Sequence, residues 1–181
     1  ESCNKAIQLK PDFAEAYYNR GIALKNLSQL DEAMQNFDKA IELKPDYAKA
    51  HNNRGATLKQ LGQLDGAVES YDQAIQLKPD FAEAYYNRGV AVYELGQPDE
   101  ALECYDKAIQ LRPEYAEAYN NRGVSLRTLG QLNKAMQDFD KTIQLKPNHA
   151  EAYSNRGITL QDLGLLDEAF TSYDKAIQLK P

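Results

Sequence analysis

The phrase Asn-Arg-Gly returns at residues 19–21, 53–55, 87–89, 121–123 and 155–157, always at a 34-residue interval, and no other feature constrains the fold as strongly. Pro11, Pro45, Pro79, Pro113, Pro147 and Pro181 keep the same interval. A period of that size means one supersecondary unit stacked on copies of itself, each too small to bury its apolar face alone.

Start and stop signals divide each unit into two helices. Asp12 followed by Glu15, Asp80 by Glu83 and Asn148 by Glu151 have the spacing of a capping box and predict where the first helix begins. Gly62, Gly96, Gly130 and Gly164, with Ser28 in the same column, predict left-handed closures. Asp31, Asp65, Asp99, Asn133 and Asp167 are then expected to cap the second helix, with Pro98 just outside, and the periodic proline ends it. Tyr17, Gly21 and Leu24, with Leu27 beside them, form the expected core stripe of the first helix. Ala33, Phe37, Ala40, Ile41 and Leu43 form that of the second. Small residues facing large ones let the helices approach closely. The expected fold is all-α, a right-handed superhelical solenoid of antiparallel helix pairs.

Tyr17-x2-Arg20-Gly21-x2-Leu24, then Ala33-x3-Phe37, then Pro45, with equivalents in all five full units, resembles the tetratricopeptide repeat (TPR). Tyr or His replaces the family's Trp, and Arg its Leu, but the Gly, Ala, aromatic and Pro landmarks hold. The resemblance divides the chain as a single TPR array. Residues 1–13 carry the second helix of a truncated repeat, and full repeats span 14–47, 48–81, 82–115, 116–149 and 150–181. The start in mid-repeat, without a methionine, points to a piece of something longer, so compartment is not predicted.

A net charge of −6 argues against nucleic-acid and anionic-membrane partners, which demand a basic footprint. No run approaches the roughly 18 apolar residues of a membrane span. His51 and His149 occupy different columns without ligand-spaced partners, His51 where other units place a core Tyr. Cys3 and Cys104 read as packed thiols too far apart to bridge. No catalytic constellation, phosphate loop, metal site or cofactor site is recognisable, and no enzyme is expected.

At about 100° per residue, Asn19 falls opposite the core stripe of its helix. In such arrays, the resemblance implies, first helices line a concave groove, so Asn19, Asn53, Asn87, Asn121 and Asn155 would form a ladder along it. An amide offers a donor and an acceptor and can grip a peptide backbone whatever its sequence. Packed helices lie about 8–10 Å apart and an extended peptide rises about 3.3 Å per residue, so one rung meets roughly every third residue. The ladder is similar to one in O-linked N-acetylglucosamine transferases, where it holds substrate backbones. The alternatives are that recent copying of the repeat kept the Asn, or that each Asn bonds locally and serves its own helix. Ile22, Val90 and Val124, with Ala56 and Ile158, either floor the groove or seal adjacent repeats. Tyr18 and Tyr86 offer aromatic anchors. Lys25, Lys59 and Arg127 form a partial basic column, a solvated rim that slightly favours acidic peptides.

Arg20, Arg54, Arg88, Arg122 and Arg156 are expected to tie repeats together by pairing with the recurrent Asp38, Asp72, Asp106, Asp140 and Asp174. Some members of the family hold chaperone C-terminal carboxylates in a clamp of Lys and Asn. Here Tyr18 and Ile22 stand where its Lys and second Asn belong, and that ligand is discounted, although Lys49 matches. The expected function is a non-catalytic scaffold for protein–protein interaction, holding an extended or helical peptide in the concave groove. The alternatives are the substrate-recruiting part of a larger enzyme such as a glycosyltransferase, and head-to-tail self-assembly through the uncapped helix that ends at Pro181.

Overall fold

The computed structural model describes residues 2–180, with side chains from residue 5 onward. These residues form eleven helices and no strand. In order they are α1 (Ser2–Leu9), α2 (Ala14–Asn26), α3 (Leu30–Leu43), α4 (Ala48–Gln60), α5 (Leu64–Leu77), α6 (Ala82–Glu94), α7 (Pro98–Leu111), α8 (Ala116–Thr128), α9 (Leu132–Leu145), α10 (Ala150–Asp162) and α11 (Leu166–Leu179). Two compact units result, one ending at Leu95 and the other beginning at Gly96.

Within each unit every helix packs on its sequence neighbours, and short turns make the neighbours antiparallel. First helices also touch across repeats, α2 with α4 and α4 with α6 in unit 1 and α8 with α10 in unit 2, whereas second helices do not meet one another. Helices of similar thickness that touch in one layer and part in the other define a curve. Each unit therefore bends with its first helices on the inside.

The periodic glycine sets how closely a pair can pack. A Cβ on Gly55 would lie 2.7 Å from Tyr71 Cε1 and 3.0 Å from the Ala67 carbonyl oxygen. Gly21 abuts Phe37 and Gly123 abuts Phe139 in the same way. Leu58, Ala67, Tyr71 and Ala91 close the core of unit 1, and Leu126, Ala135 and Phe139 that of unit 2. The buried columns of the first helices are those of Ala16 and Gly21 and, in α4, α6, α8 and α10, those of Thr57 and Leu58, the latter being the Leu24 column of the expected stripe. Tyr17 is half-buried, and Leu27 is exposed because it lies on the C-cap beyond the packed face, so the expected stripe was too wide. His51 is also half-buried, not a core residue, and its Nε2 lies 3.1 Å from the Pro45 carbonyl.

The expected left-handed closures are present, with φ of 75° at Gly62 and 59° at Ser28. Two bonds of a Schellman motif secure the latter, Gln29 N–H to Leu24 O at 2.9 Å and Ser28 N–H to Lys25 O at 2.9 Å. The acidic caps are not where the spacing placed them. Phe13, Tyr47, Phe81, Tyr115 and His149 occupy the N-cap of the first helices, and only the His149 side chain caps, accepting from Ala152 N–H. The aromatic ring there serves the turn, because the cation three residues earlier lies over it, as with Arg112 4.4 Å from the Tyr115 centroid. Second helices start one residue before the expected Asp or Asn, at Leu30, Leu64, Pro98, Leu132 and Leu166. Asp31, Asp65, Asp99 and Asp167 thus sit inside the first turn, where they complement the helix dipole, and uncharged Asn133 takes the same place in α9. Pro98 occupies the first helical position, where its fixed φ fits and no N–H is needed, so it is within the helix. Cys104 is buried; Cys3 lies outside the described side chains.

Candidate functional site

The arginine column takes the structural role expected of it. Arg54 Nε donates to Asp38 Oδ1 at 2.7 Å on the preceding second helix, and Nη1 to Ser70 Oγ at 2.8 Å on its own. Arg156 repeats the pattern with Asp140 and Ser172, and Arg88 pairs with Asp72. Arg122 bonds Asp106 and grips buried Asp138 with both Nε and Nη2, at 2.8 and 2.7 Å. Burial pushes the Asp138 carboxyl up, against the pull of those two bonds. The hydrogen bond to Asp138 in turn holds the Arg122 guanidinium charged.

On the inner face of unit 1, Asn53 Nδ2 donates to the Tyr18 hydroxyl at 3.2 Å and to Lys49 O at 3.1 Å, and its Oδ1 accepts from Lys25 Nζ at 2.9 Å. Asn87 Nδ2 donates to Asn52 Oδ1 at 3.0 Å. In unit 2, Asn155 Nδ2 donates to Asn120 Oδ1 at 3.1 Å, and Asn120 donates to Asn121 Oδ1 at 3.2 Å. Each of these Asn donors reaches back 35 residues, to the side chain that precedes the Asn of the previous repeat. The ladder is thus bonded into the array. Asn19 is exposed. Among the described residues the Oδ1 atoms of Asn87 and Asn155 accept no bond, so these amides keep an acceptor for a ligand.

Tyr18 is half-buried, its ring 4.9 Å from that of Tyr47 and 6.1 Å from that of Phe37. Burial, followed by Tyr47 and Glu83, pushes its phenol up. Tyr86, Ile22 and Val90 are half-buried as well. Val124 packs against the Phe139 cluster, which favours sealing of the repeat at that position.

The basic column is largely engaged. Burial pushes the Lys25 ammonium down, with Glu83 opposing, and its hydrogen bond goes to Asn53. Lys59 pairs with Glu94 at 3.0 Å. Arg127 Nη1 lies 3.8 Å from Asp162 Oδ2. Sequence reasoning missed Glu94 and Asp162 as partners; the signal was an acid 35 residues after a base. It also missed Asn52 and Asn120, buried acceptors beneath the ladder.

Two pockets lie away from the Asn column. One of about 500 Å³ in unit 1 is lined by Asp38, Arg54, Ser70 and Asp72. Another in unit 2, of about 390 Å³, surrounds Arg122 and Asp138. Both follow the structural arginine network. No cluster among the described residues could hold a metal ion, and none of the described helices is long and apolar enough to cross a membrane.

Comparison with known proteins agrees with the helix pairing. A family model described as tetratricopeptide repeat matches residues 14–47, 82–115, 116–149 and 150–181. Two related repeat models match 36–69 and 57–96. No curated protein matches the chain. Among solved structures, MamA is 29% identical, with 88% of this chain and 94% of that one covered and a TM-score of 0.80. YrrB, described as a TPR protein with an unusual peptide-binding site, is 28% identical over 100% of this chain and 93% of its own, also at 0.80. PilF of Pseudomonas aeruginosa, 22% identical over 100% of this chain and 79% of its own, shares the fold at a TM-score of 0.86.

Proposed function

Because the chain belongs to the tetratricopeptide repeat family, we propose that it is a non-catalytic interaction scaffold whose first helices hold an extended peptide of a partner protein along their inner face. The observation that carries this reading is geometric. Across repeats first helices meet one another while second helices do not, so the first-helix faces line the inside of each unit's curve, and there Asn87 and Asn155 each retain an unbonded carbonyl oxygen. A peptide N–H can be met at those atoms without disturbing the bonds that the Nδ2 atoms make inside the array. YrrB, the peptide-binding protein of similar fold, supports the class of ligand.

The test uses a phage-displayed library of random 12-residue peptides. A selected peptide should bind the Asn87→Ala, Asn155→Ala double variant at least tenfold more weakly, provided the variant melts cooperatively. Undiminished binding would remove the ladder from the reading.

A further inference from the structure

We propose that Arg127 is the point at which unit 2 takes a carboxylate of a bound acidic peptide. This rests on the reading of the inner face as a peptide site and gives that peptide a charge. The other basic residues of the column are spent inside the chain, Lys25 on Asn53 at 2.9 Å and Lys59 on Glu94 at 3.0 Å. Arg127 is not. Its guanidinium carries five N–H donors, yet among the described residues it makes no hydrogen bond, and its Nε is enclosed without an acceptor. The 3.8 Å from Nη1 to Asp162 Oδ2 is beyond hydrogen-bond range.

A partly enclosed guanidinium without acceptors has lost water and gained little in return. The side chain remains 28% exposed, and since Nε is sealed, the accessible donors are at the Nη edge. A carboxylate approaching that edge accepts two parallel bonds in the fork geometry that arginine favours. The register that brings Lys25 onto Asn53 makes Asn155 the counterpart of Arg127, and the unbonded Asn155 Oδ1 can accept the N–H of the same peptide. Asp162, 43% exposed, competes weakly for the guanidinium and repels the incoming acid.

The assay follows the arginine Nε–H resonances of the full chain by NMR. The probe is the peptide acetyl-Gly-Glu-Gly-Asp-Gly-amide, compared with its Gln and Asn counterpart. The resonance missing from Arg127→Lys should shift saturably with the acidic probe and at least fivefold less with the amide probe. Arg127→Gln should weaken the acidic probe at least tenfold, and Asp162→Asn should strengthen it several-fold. Melting curves of both Arg127 variants establish that they fold. Equal response to the two probes, or unchanged acidic-probe affinity in folded Arg127→Gln, overturns the proposal.

The library peptide of the preceding test separates the two readings. If its binding falls in the Asn87→Ala, Asn155→Ala variant and ignores charge, the ladder stands and the carboxylate point fails. If Arg127 sets an acid preference while the Asn variant binds undiminished, the reverse holds.

Discussion

Replacing Gly55 by Ala tests whether the pairing distance of the helices is set by that glycine. A Cβ there would meet Tyr71 Cε1 at 2.7 Å, Tyr71 Cδ1 at 2.9 Å and the Ala67 carbonyl oxygen at 3.0 Å. Carbon atoms rest about 3.5–4.0 Å apart, so α4 and α5 would have to separate by nearly an ångström. The Tyr71 ring cannot swing aside, being fully buried with its hydroxyl enclosed. Such overpacking costs about 1–3 kcal/mol, while alanine in place of glycine inside a helix gains about 1 kcal/mol. The net expectation is a loss of up to about 2 kcal/mol. Gly66 is the control, since it also lies in a helix but a Cβ there meets Leu58 Cδ1 only at 3.5 Å. Gly66→Ala should therefore gain about 0.5–1 kcal/mol. Thermal melts should place the variants on opposite sides of wild type, with about 2–4 °C for each kcal/mol in a chain of this size. Gly55→Ala melting at or above wild type would refute the argument. So would a Gly55→Ala, Tyr71→Ala double variant appreciably less stable than Tyr71→Ala alone, because the clash would then lie elsewhere.

The arginine network gives a second contrast. Arg122→Met leaves the buried Asp138 carboxylate unpaired and should cost about 3 kcal/mol or more in urea unfolding. Arg54→Met frees Asp38, whose side chain is 54% exposed, and should cost less than about 1 kcal/mol. Ser28 holds a φ of 59° where the other repeats have glycine, so Ser28→Gly should raise stability by about 1 kcal/mol, read from the same unfolding curves. Glu117 makes an ion pair and hydrogen bond with Lys146. Burial raises its carboxyl pKa, but the Lys146 hydrogen bond, the backbone and nearby cations outweigh burial and hold it below the usual range. Its contribution is then present above the unfolded carboxylate value of about 4.3 and lost as pH falls through the depressed folded value. The stability gap between wild type and Glu117→Gln should close with acidification over that window; a gap that widens would reverse the assignment.

What the sequence disclosed follows from how far each interaction reaches. The 34-residue period, the closures at Gly62 and its copies, and the meeting of Gly21 with Phe37 rest on spacing along the chain, and each is found in the structure. The Asp12 cap misled because capping preference competes with packing, and the next residue, Phe13, supplies a ring for Lys10. The Asn column was the harder case. Its partners lie one repeat and one residue away, an offset fixed by how neighbouring first helices slide past one another, which no helical wheel displays. A trace was nonetheless present. The position before each Asn varies among Tyr18, Asn52, Tyr86, Asn120 and Ser154, which looks like drift until one asks what the side chains share. Each can accept a hydrogen bond, and the acceptor is what the bonds to Tyr18, Asn52 and Asn120 require. The invariant donor and its tolerant acceptor thus form one inter-repeat contact, which leaves the carbonyl half of the amide unbonded at Asn87 and Asn155. The same offset joins Lys59 to Glu94 and brings Arg127 only within 3.8 Å of Asp162. A column of three similar charges therefore divides into hydrogen-bonded members and one held by an ion pair alone, which only the contacts distinguish.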